Sequence, residues 1–142
     1  LFILIFGVMW NHSVENFIDQ ENPVEKQAEY TFTLLQTTGT PKNWNKTNIT
    51  VPGLSKNNRI SRDKFTNFKN ISNSKKLQLL KTQAYRLEMN YLNGTTVPYQ
   101  GENLTDGSTS IPENKTVYTH RDTVLIHKTN KRANLNYYTW SK

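Results

Sequence analysis

The chain has 142 residues, enough for one domain with a buried core and an attached element. It has no cysteine, which excludes disulfides, thiolate zinc sites and cysteine nucleophiles. Hydrophobic residues make up 35% and charged residues 20%, so much of the polarity is uncharged, carried by 18 Asn and 26 Ser plus Thr. The 16 aromatic residues argue for a folded domain rather than disorder. The net charge of +7 suits an anionic partner or a self-repelling soluble surface, and the scatter of the basic residues favours the surface.

Residues 1–10 contain no polar side chain. As a helix they would span only ~15 Å, about half a bilayer core, and no basic region precedes them as in a signal peptide. They read as part of a longer apolar helix, as a buried helix, or as a strand. Each reading needs a cover, and a neighbouring copy is the first candidate. The apolar side chains Leu1, Phe2, Ile3, Leu4, Ile5, Phe6, Val8, Met9 and Trp10, with Val14, Phe17 and Ile18 beyond them, form the expected assembly interface.

Polar residues begin at Asn11, and helical spacing then runs through Val14, Phe17, Ile18, Val24, Ala28, Phe32 and Leu35. Asn22-Pro23-Val24-Glu25 is a helix start, so Pro23 kinks or breaks the amphipathic segment 13–37. Gly39 and Pro41 end it. Residues 40–60 are expected as a polar loop holding Trp44 and a turn at Val51-Pro52-Gly53. Ser61 caps a short helix carrying Phe65 and Phe68, and a second short helix carries Leu77, Leu79 and Leu80.

The period then changes to two. Tyr85, Leu87, Met89 and Tyr91 alternate with Arg86, Glu88 and Asn90, which predicts a strand with the first set inward. Asn93-Gly94 is a hairpin turn, and residues 101–116 are expected as a loop. Strands follow at about 117–128 and 133–141, joined by a turn at residues 129–132. The predicted class is α+β: an N-terminal hydrophobic helix, kinked or broken near Pro23, then an antiparallel β-sheet domain with short helices. The division is an assembly helix over 1–38 and a surface-exposed β domain over 39–142.

Asn-x-Ser/Thr, the N-glycan acceptor pattern, occurs seven times, against about three expected from this composition. Asn45, Asn48, Asn93, Asn103 and Asn114 fall at expected loops or turns and are the main candidates for N-linked glycans. Asn11 lies at the end of the apolar segment, and Asn70 between short helices, where packing restricts access.

His120 and Asp122 share a strand face, which resembles a base with an orienting carboxylate, and Ser108 and Ser110 are near in sequence. No nucleophile elbow frames them, and exposed strand polars explain the pair more simply. His120, Asp122 and His127 do not supply three or four converging metal ligands, and no nucleotide-binding glycine motif is present. The expectation is therefore no catalytic residue, no metal, no cofactor and no small-molecule substrate. Lys128, Lys131 and Arg132 precede Tyr137, Tyr138 and Trp140, a mixture that in other settings holds single-stranded nucleic acid. A solvated turn and a packed aromatic strand explain it as well, since no nucleic-acid motif frames it.

Several stretches resemble a known family. The apolar residues 1–10 pass into the charged segment 15–29. Residues 34–44 hold Pro41 and Trp44 in a Pro-x-x-Trp turn after the helix, and Asn48-Ile49-Thr50-Val51-Pro52-Gly53-Leu54 follows. Arg59-Ile60-Ser61 leads into short helices; the strand from Tyr85 to the turn Asn93-Gly94-Thr95 and the final hairpin ending Tyr138-Thr139-Trp140 complete the pattern. Over about the whole chain this is similar to archaeal type IV pilin-like proteins, whose precursors carry class III signal peptides. The resemblance implies a subunit that waits in the membrane and then joins a helical homo-polymer through its apolar helix. It further implies a β domain facing outward on an extracellular surface filament, and no enzyme. The alternatives are a surface adhesin or DNA-capturing minor pilin, with nucleic acid as partner, and a fibre subunit whose residues 1–10 complete a neighbour's sheet.

Overall fold

The computed structural model describes residues 23–142; the apolar run 1–10, Asn11, Val14, Phe17 and Ile18 lie outside the described residues. Three helices, α1 (Pro23–Leu35), α2 (Arg62–Lys69) and α3 (Asn73–Leu80), accompany strands β1 (Ser55–Lys56), β2 (Arg59–Ile60), β3 (Ala84–Tyr91), β4 (Pro98–Tyr99), β5 (Glu102–Asn103), β6 (Thr105–Gly107), β7 (Tyr118–Leu125) and β8 (Arg132–Trp140). The main sheet has the order β6-β3-β8-β7, antiparallel throughout, with β1-β2 and β4-β5 as separate two-stranded pairs. The described domain is therefore α+β with antiparallel sheets and short helices.

Pro23 suits a first helical turn because its missing N–H would find no intrahelical partner there, and Glu25 lies where the helix dipole favours a carboxylate. Ala28, Thr31, Phe32 and Leu35 are buried at helical spacing, and this stripe of α1 packs on β7 and β8. Thr31 Oγ1 donates to the Leu80 carbonyl at 3.1 Å, fixing α1 to the end of α3. Orphan carbonyls at the end of α1 are taken by Leu54 N–H, 2.8 Å from Leu35 O, and Ser55 N–H, 2.9 Å from Thr37 O.

The expected polar loop 40–60 is more structured than composition suggests. Thr40 and Val51 bridge each other, and residues 55–60 form the β1-β2 hairpin. Trp44 is buried and its indole N–H donates to Gly53 O at 2.8 Å. Lys64 on α2 reaches into the loop, donating to the carbonyls of Thr38 at 2.8 Å, Lys42 at 2.9 Å and Ser55 at 2.9 Å. Burial, with Lys56 and Lys42 nearby, holds its ammonium below the usual lysine range.

Gly53 is needed where the loop crosses itself. A Cβ there would lie 2.1 Å from Gly39 N and 2.5 Å from Thr37 O, both backbone atoms. Gly53→Ala is expected to cost about 3 kcal/mol, the upper end of overpacking, and to raise Trp44 solvent exposure. Gly94→Ala is the control: its Cβ meets nothing within 4 Å, and only the φ of +92° is strained, at about 1 kcal/mol. Denaturant midpoints read by tryptophan fluorescence separate the two.

Ser61 caps α2 as expected, its side chain accepting from Lys64 N–H, and Phe65 and Phe68 are buried. In α3 the buried face is Lys76 and Leu80, whereas Leu77 and Leu79 are only partly buried. Lys76 Nζ lies 2.7 Å from Asp106 Oδ1, and Tyr85 OH donates to Asp106 Oδ2 at 2.6 Å. All three residues are buried, so α3, β6 and β3 meet at one satisfied ionic centre.

In β3, Tyr85, Leu87 and Met89 are buried and Tyr91 partly so, while Arg86 and Glu88 turn to the other face, as the alternation requires. Asn93-Gly94 turns the chain and Thr96 bridges back to Asn90. The expected loop 101–116 needs correction. It contains β5, and β6 forms the edge of the main sheet, pairing Leu87 with Asp106.

The buried phenols give a pH dependence. Burial pushes Tyr85 and Tyr137 well above the ordinary tyrosine range, with the Asp106 carboxylate adding to the shift at Tyr85. Above about pH 10 an unfolded tyrosine loses its proton while these two keep theirs, so the native state binds more protons. Their stabilising contribution is complete below about pH 10 and falls above it by up to ~1.4 kcal/mol per pH unit for each phenol. Denaturant titrations across the alkaline range test this, with phenolate absorbance from the pair appearing only on unfolding.

Candidate acceptor asparagines and the polar sheet face

Asn45, Asn48, Asn70, Asn93, Asn103 and Asn114 are all exposed. Asn70, expected to be partly packed, is not: it is the C-cap of α2, where its backbone rather than its side chain faces the helix. Two acceptors share a geometry. Asn45 Oδ1 accepts from Thr47 N–H at 2.9 Å and from the Thr47 hydroxyl at 2.5 Å. Asn93 Oδ1 accepts from Thr95 N–H at 3.0 Å and from the Thr95 hydroxyl at 2.7 Å. These are Asx turns, which the short polar side chain favours locally. In both, the hydroxyl of the acceptor triplet engages the amide that would carry sugar.

Lysines bring several acceptors to one side. Lys69 donates to Asn103 O at 2.9 Å, which places β5 beside the end of α2 and Asn70. Lys75 donates to Lys46 O at 2.7 Å, which places the Asn45–Asn48 turn beside the start of α3. Asn93 lies at the turn after β3, and Asn114 precedes β7. None of the acceptor triplets lies in β3, β7 or β8, although these strands hold Asn90, Asn134 and Asn136.

The three strands present a polar face opposite the helices. Register pairs Arg86 with Tyr138, Glu88 with Asn136 and Asn136 with Arg121. Glu88 is the hub. Its Oε2 lies 3.0 Å from Arg86 Nε, and its Oε1 accepts from Asn90 Nδ2 at 3.0 Å, Tyr138 OH at 3.2 Å and Asn136 Nδ2 at 3.5 Å. Arg121 Nε donates to Asn136 Oδ1 at 2.7 Å. Partial burial, with the Glu88 charge adding, raises the Tyr138 phenol above its usual range. The alternation showed which residues face out; it did not show their convergence, which depends on cross-strand register.

The other sequence candidates are separated. His120 and Asp122 do share a face, but His120 is half-buried with its ring stacked on Phe32 at 5.7 Å, so it is a packing residue and not an exposed strand polar. Ser108 follows β6 at the opposite edge of the sheet from β7, three strand spacings or roughly 14 Å away, beyond hydrogen-bond reach of the imidazole. Ser110 O accepts from Ser108 Oγ at 2.8 Å. Among the described residues no three acidic or imidazole side chains converge as a metal site.

Tyr137 is in the core, Tyr138 binds Glu88 on the polar face, and Trp140 is buried at the far end of β8 from Arg132. The basic turn and these aromatics therefore form no common stacking platform. No helix among the described residues is long and apolar enough to cross a membrane. Comparison with family models, curated proteins and solved structures gives no match.

Proposed function

We propose that the chain is a structural subunit of an archaeal type IV pilus-like surface filament. Its apolar N-terminal segment is a helix, kinked or broken near Pro23, that packs against copies of itself after a membrane-held stage. The α+β domain faces outward on the cell surface and carries N-linked glycans. The observation that carries this reading is the exposure of all six described acceptor asparagines on a folded domain joined to ten consecutive residues without a polar side chain.

The test is negative-stain microscopy of the surface fraction with intact mass of the native chain. Filaments built of this chain, with sugar mass on several acceptors, are expected. Ile5→Asp is expected to abolish them, because an unpaired charge in an apolar assembly core costs several kcal/mol. Normal filaments from that variant, or a mass equal to the bare polypeptide, would remove the corresponding half of the reading. The strand-exchange alternative rests on β7, an edge strand of the main sheet. Finding residues 1–10 hydrogen-bonded along a neighbour's β7 would favour it.

A further inference from the structure

An exposed asparagine is not by itself open to sugar transfer. In that reaction Nδ2 bonds to the anomeric carbon of a polyprenyl-diphosphate-linked oligosaccharide, and the bond from that carbon to the phosphate oxygen breaks. The lipid diphosphate leaves with the electron pair, and Nδ2 gives one proton to a base on the transferase. To enter an enzyme's site, the backbone on both sides of the asparagine must lift off the domain. That is a local opening, and its free energy depends on what the flanking residues bury.

Flanking burial divides the six described acceptors. Leu104, which follows Asn103, is 0% exposed. Its N–H donates to Val97 O at 2.9 Å and its carbonyl accepts from Met89 N–H at 3.0 Å. Ile71, which follows Asn70, is 4% exposed, and the Ser72 carbonyl accepts from Lys76 N–H at 3.0 Å in the first turn of α3. Ile49, which follows Asn48, is 5% exposed, and Thr50 gives both its N–H, at 2.8 Å, and its hydroxyl, at 3.0 Å, to Thr40 O. Asn45 has an exposed triplet, but buried Trp44 precedes it. Asn45 and Asn48 are also interlocked: Asn45 N–H donates to Asn48 Oδ1 at 2.7 Å, and Asn48 N–H to Asn45 Oδ1 at 3.0 Å.

The other two acceptors bury nothing beside them. Leu92, Asn93, Gly94 and Thr95 are all exposed, as are Glu113, Asn114, Lys115 and Thr116. Opening the first turn breaks two backbone bonds, Gly94 N–H to Tyr91 O at 2.9 Å and Tyr91 N–H to Thr95 O at 2.8 Å, and water replaces them at small cost. Asn93 is held through Oδ1, not through Nδ2, the atom that takes sugar. Asn114 lies in the connection before β7, where Lys115 Nζ touches Ser141 O at 3.4 Å. By contrast, lifting a buried Leu, Ile or Trp into water lowers the population of the opened form by roughly ten- to a hundredfold.

We infer that the folded domain is a substrate for N-linked sugar transfer at Asn93 and Asn114, and that Asn45, Asn48, Asn70 and Asn103 take sugar only before the chain folds. This rests on the glycoprotein half of the reading above and adds to it which acceptors the folded domain offers.

The test uses the full chain, purified without sugar, and six synthetic peptides that each span one acceptor. All are given to one purified oligosaccharyltransferase with a polyprenyl-diphosphate-linked oligosaccharide, and transfer is read site by site from peptide masses. Dividing the rate at each site of the folded chain by that of its own peptide removes the intrinsic preference of the enzyme for each triplet. This ratio should be at least about tenfold higher at Asn93 and Asn114 than at the other four. Equal ratios at all six would overturn the inference. So would a folded chain modified at Asn70 or Asn103 as readily as at Asn93, or one refused at both Asn93 and Asn114. The glycoprotein reading fails separately, on a native chain of bare polypeptide mass, and that result leaves the selectivity of the folded domain standing.

Discussion

Lys76→Met is expected to destabilise the domain by about 3–5 kcal/mol, because it leaves the Asp106 carboxylate buried without its cation. The pair is 2.7 Å apart, with side chains 8% and 7% exposed, so water does not replace the lost partner. Tyr85 OH still donates to Oδ2, but one phenol does not neutralise a buried charge. Asp106→Asn leaves the Lys76 ammonium equally stranded and should cost a similar amount. The double replacement Lys76→Met with Asp106→Leu removes both charges and should recover most of the loss, at the expense of the Tyr85 partner. Urea denaturation of the four proteins measures this. Equal stability of Lys76→Met and the parent would show that the ion pair is solvated in solution.

Leu87→Ala is expected to cost about 2–5 kcal/mol. Leu87 is fully buried on β3, flanked on its two sides by Asp106 of β6 and Tyr137 of β8. The neighbours are held by ladder hydrogen bonds on both sides, so the cavity has little freedom to collapse, and the cost should lie in the upper half of that range. Asn90→Ala, on the opposite face of the same strand, removes a side chain bonded to Glu88 without opening the core and should cost about 1 kcal/mol. The ratio of the two is the check, since a wrong strand register would invert it.

The parts of this fold that were legible in sequence are those where one face is wet and one dry. β3 announced itself by strict alternation, α2 by Ser61 before Phe65 and Phe68, and the β7-β8 hairpin by two long polar-apolar runs around a turn. β6 was not legible. Its three residues, Thr105, Asp106 and Gly107, have poor strand propensity and become a strand because β3 offers a free edge and Lys76 a counter-charge. Lys76 itself carries a signal that is easy to pass over, four residues before Leu80 on the same helix face. The β1-β2 hairpin hid in a polar loop because its hold comes from backbone groups and from Lys64, which composition does not display. Acceptor triplets are local and were fully readable, but that none falls on β3, β7 or β8 emerged only once those strands were adjacent. The meeting of residues 56–60 with residues 126–132 is invisible in sequence for the same reason, since it rests on the Ile60–Ile126 bridge and the Arg59–Asn130 hydrogen bond.

The absence of acceptor triplets from the polar sheet face has an immunological consequence. Sugars on Asn45, Asn48, Asn70 and Asn103 would mask the helical side of the domain. Thr119, Arg121 and Thr123, the exposed side chains of the polar face, would then stay open to a foreign receptor. On the proposed glycoprotein reading, antibodies raised against native material should therefore converge on this flat, pre-bonded face. Sera raised against sugar-free recombinant protein should instead spread to the helices and, on the proposed surface reading, bind the native protein more weakly. Arg121→Ala, which removes the outermost charged member of the Glu88 network, should abolish recognition by the first kind of serum and leave most of the second intact.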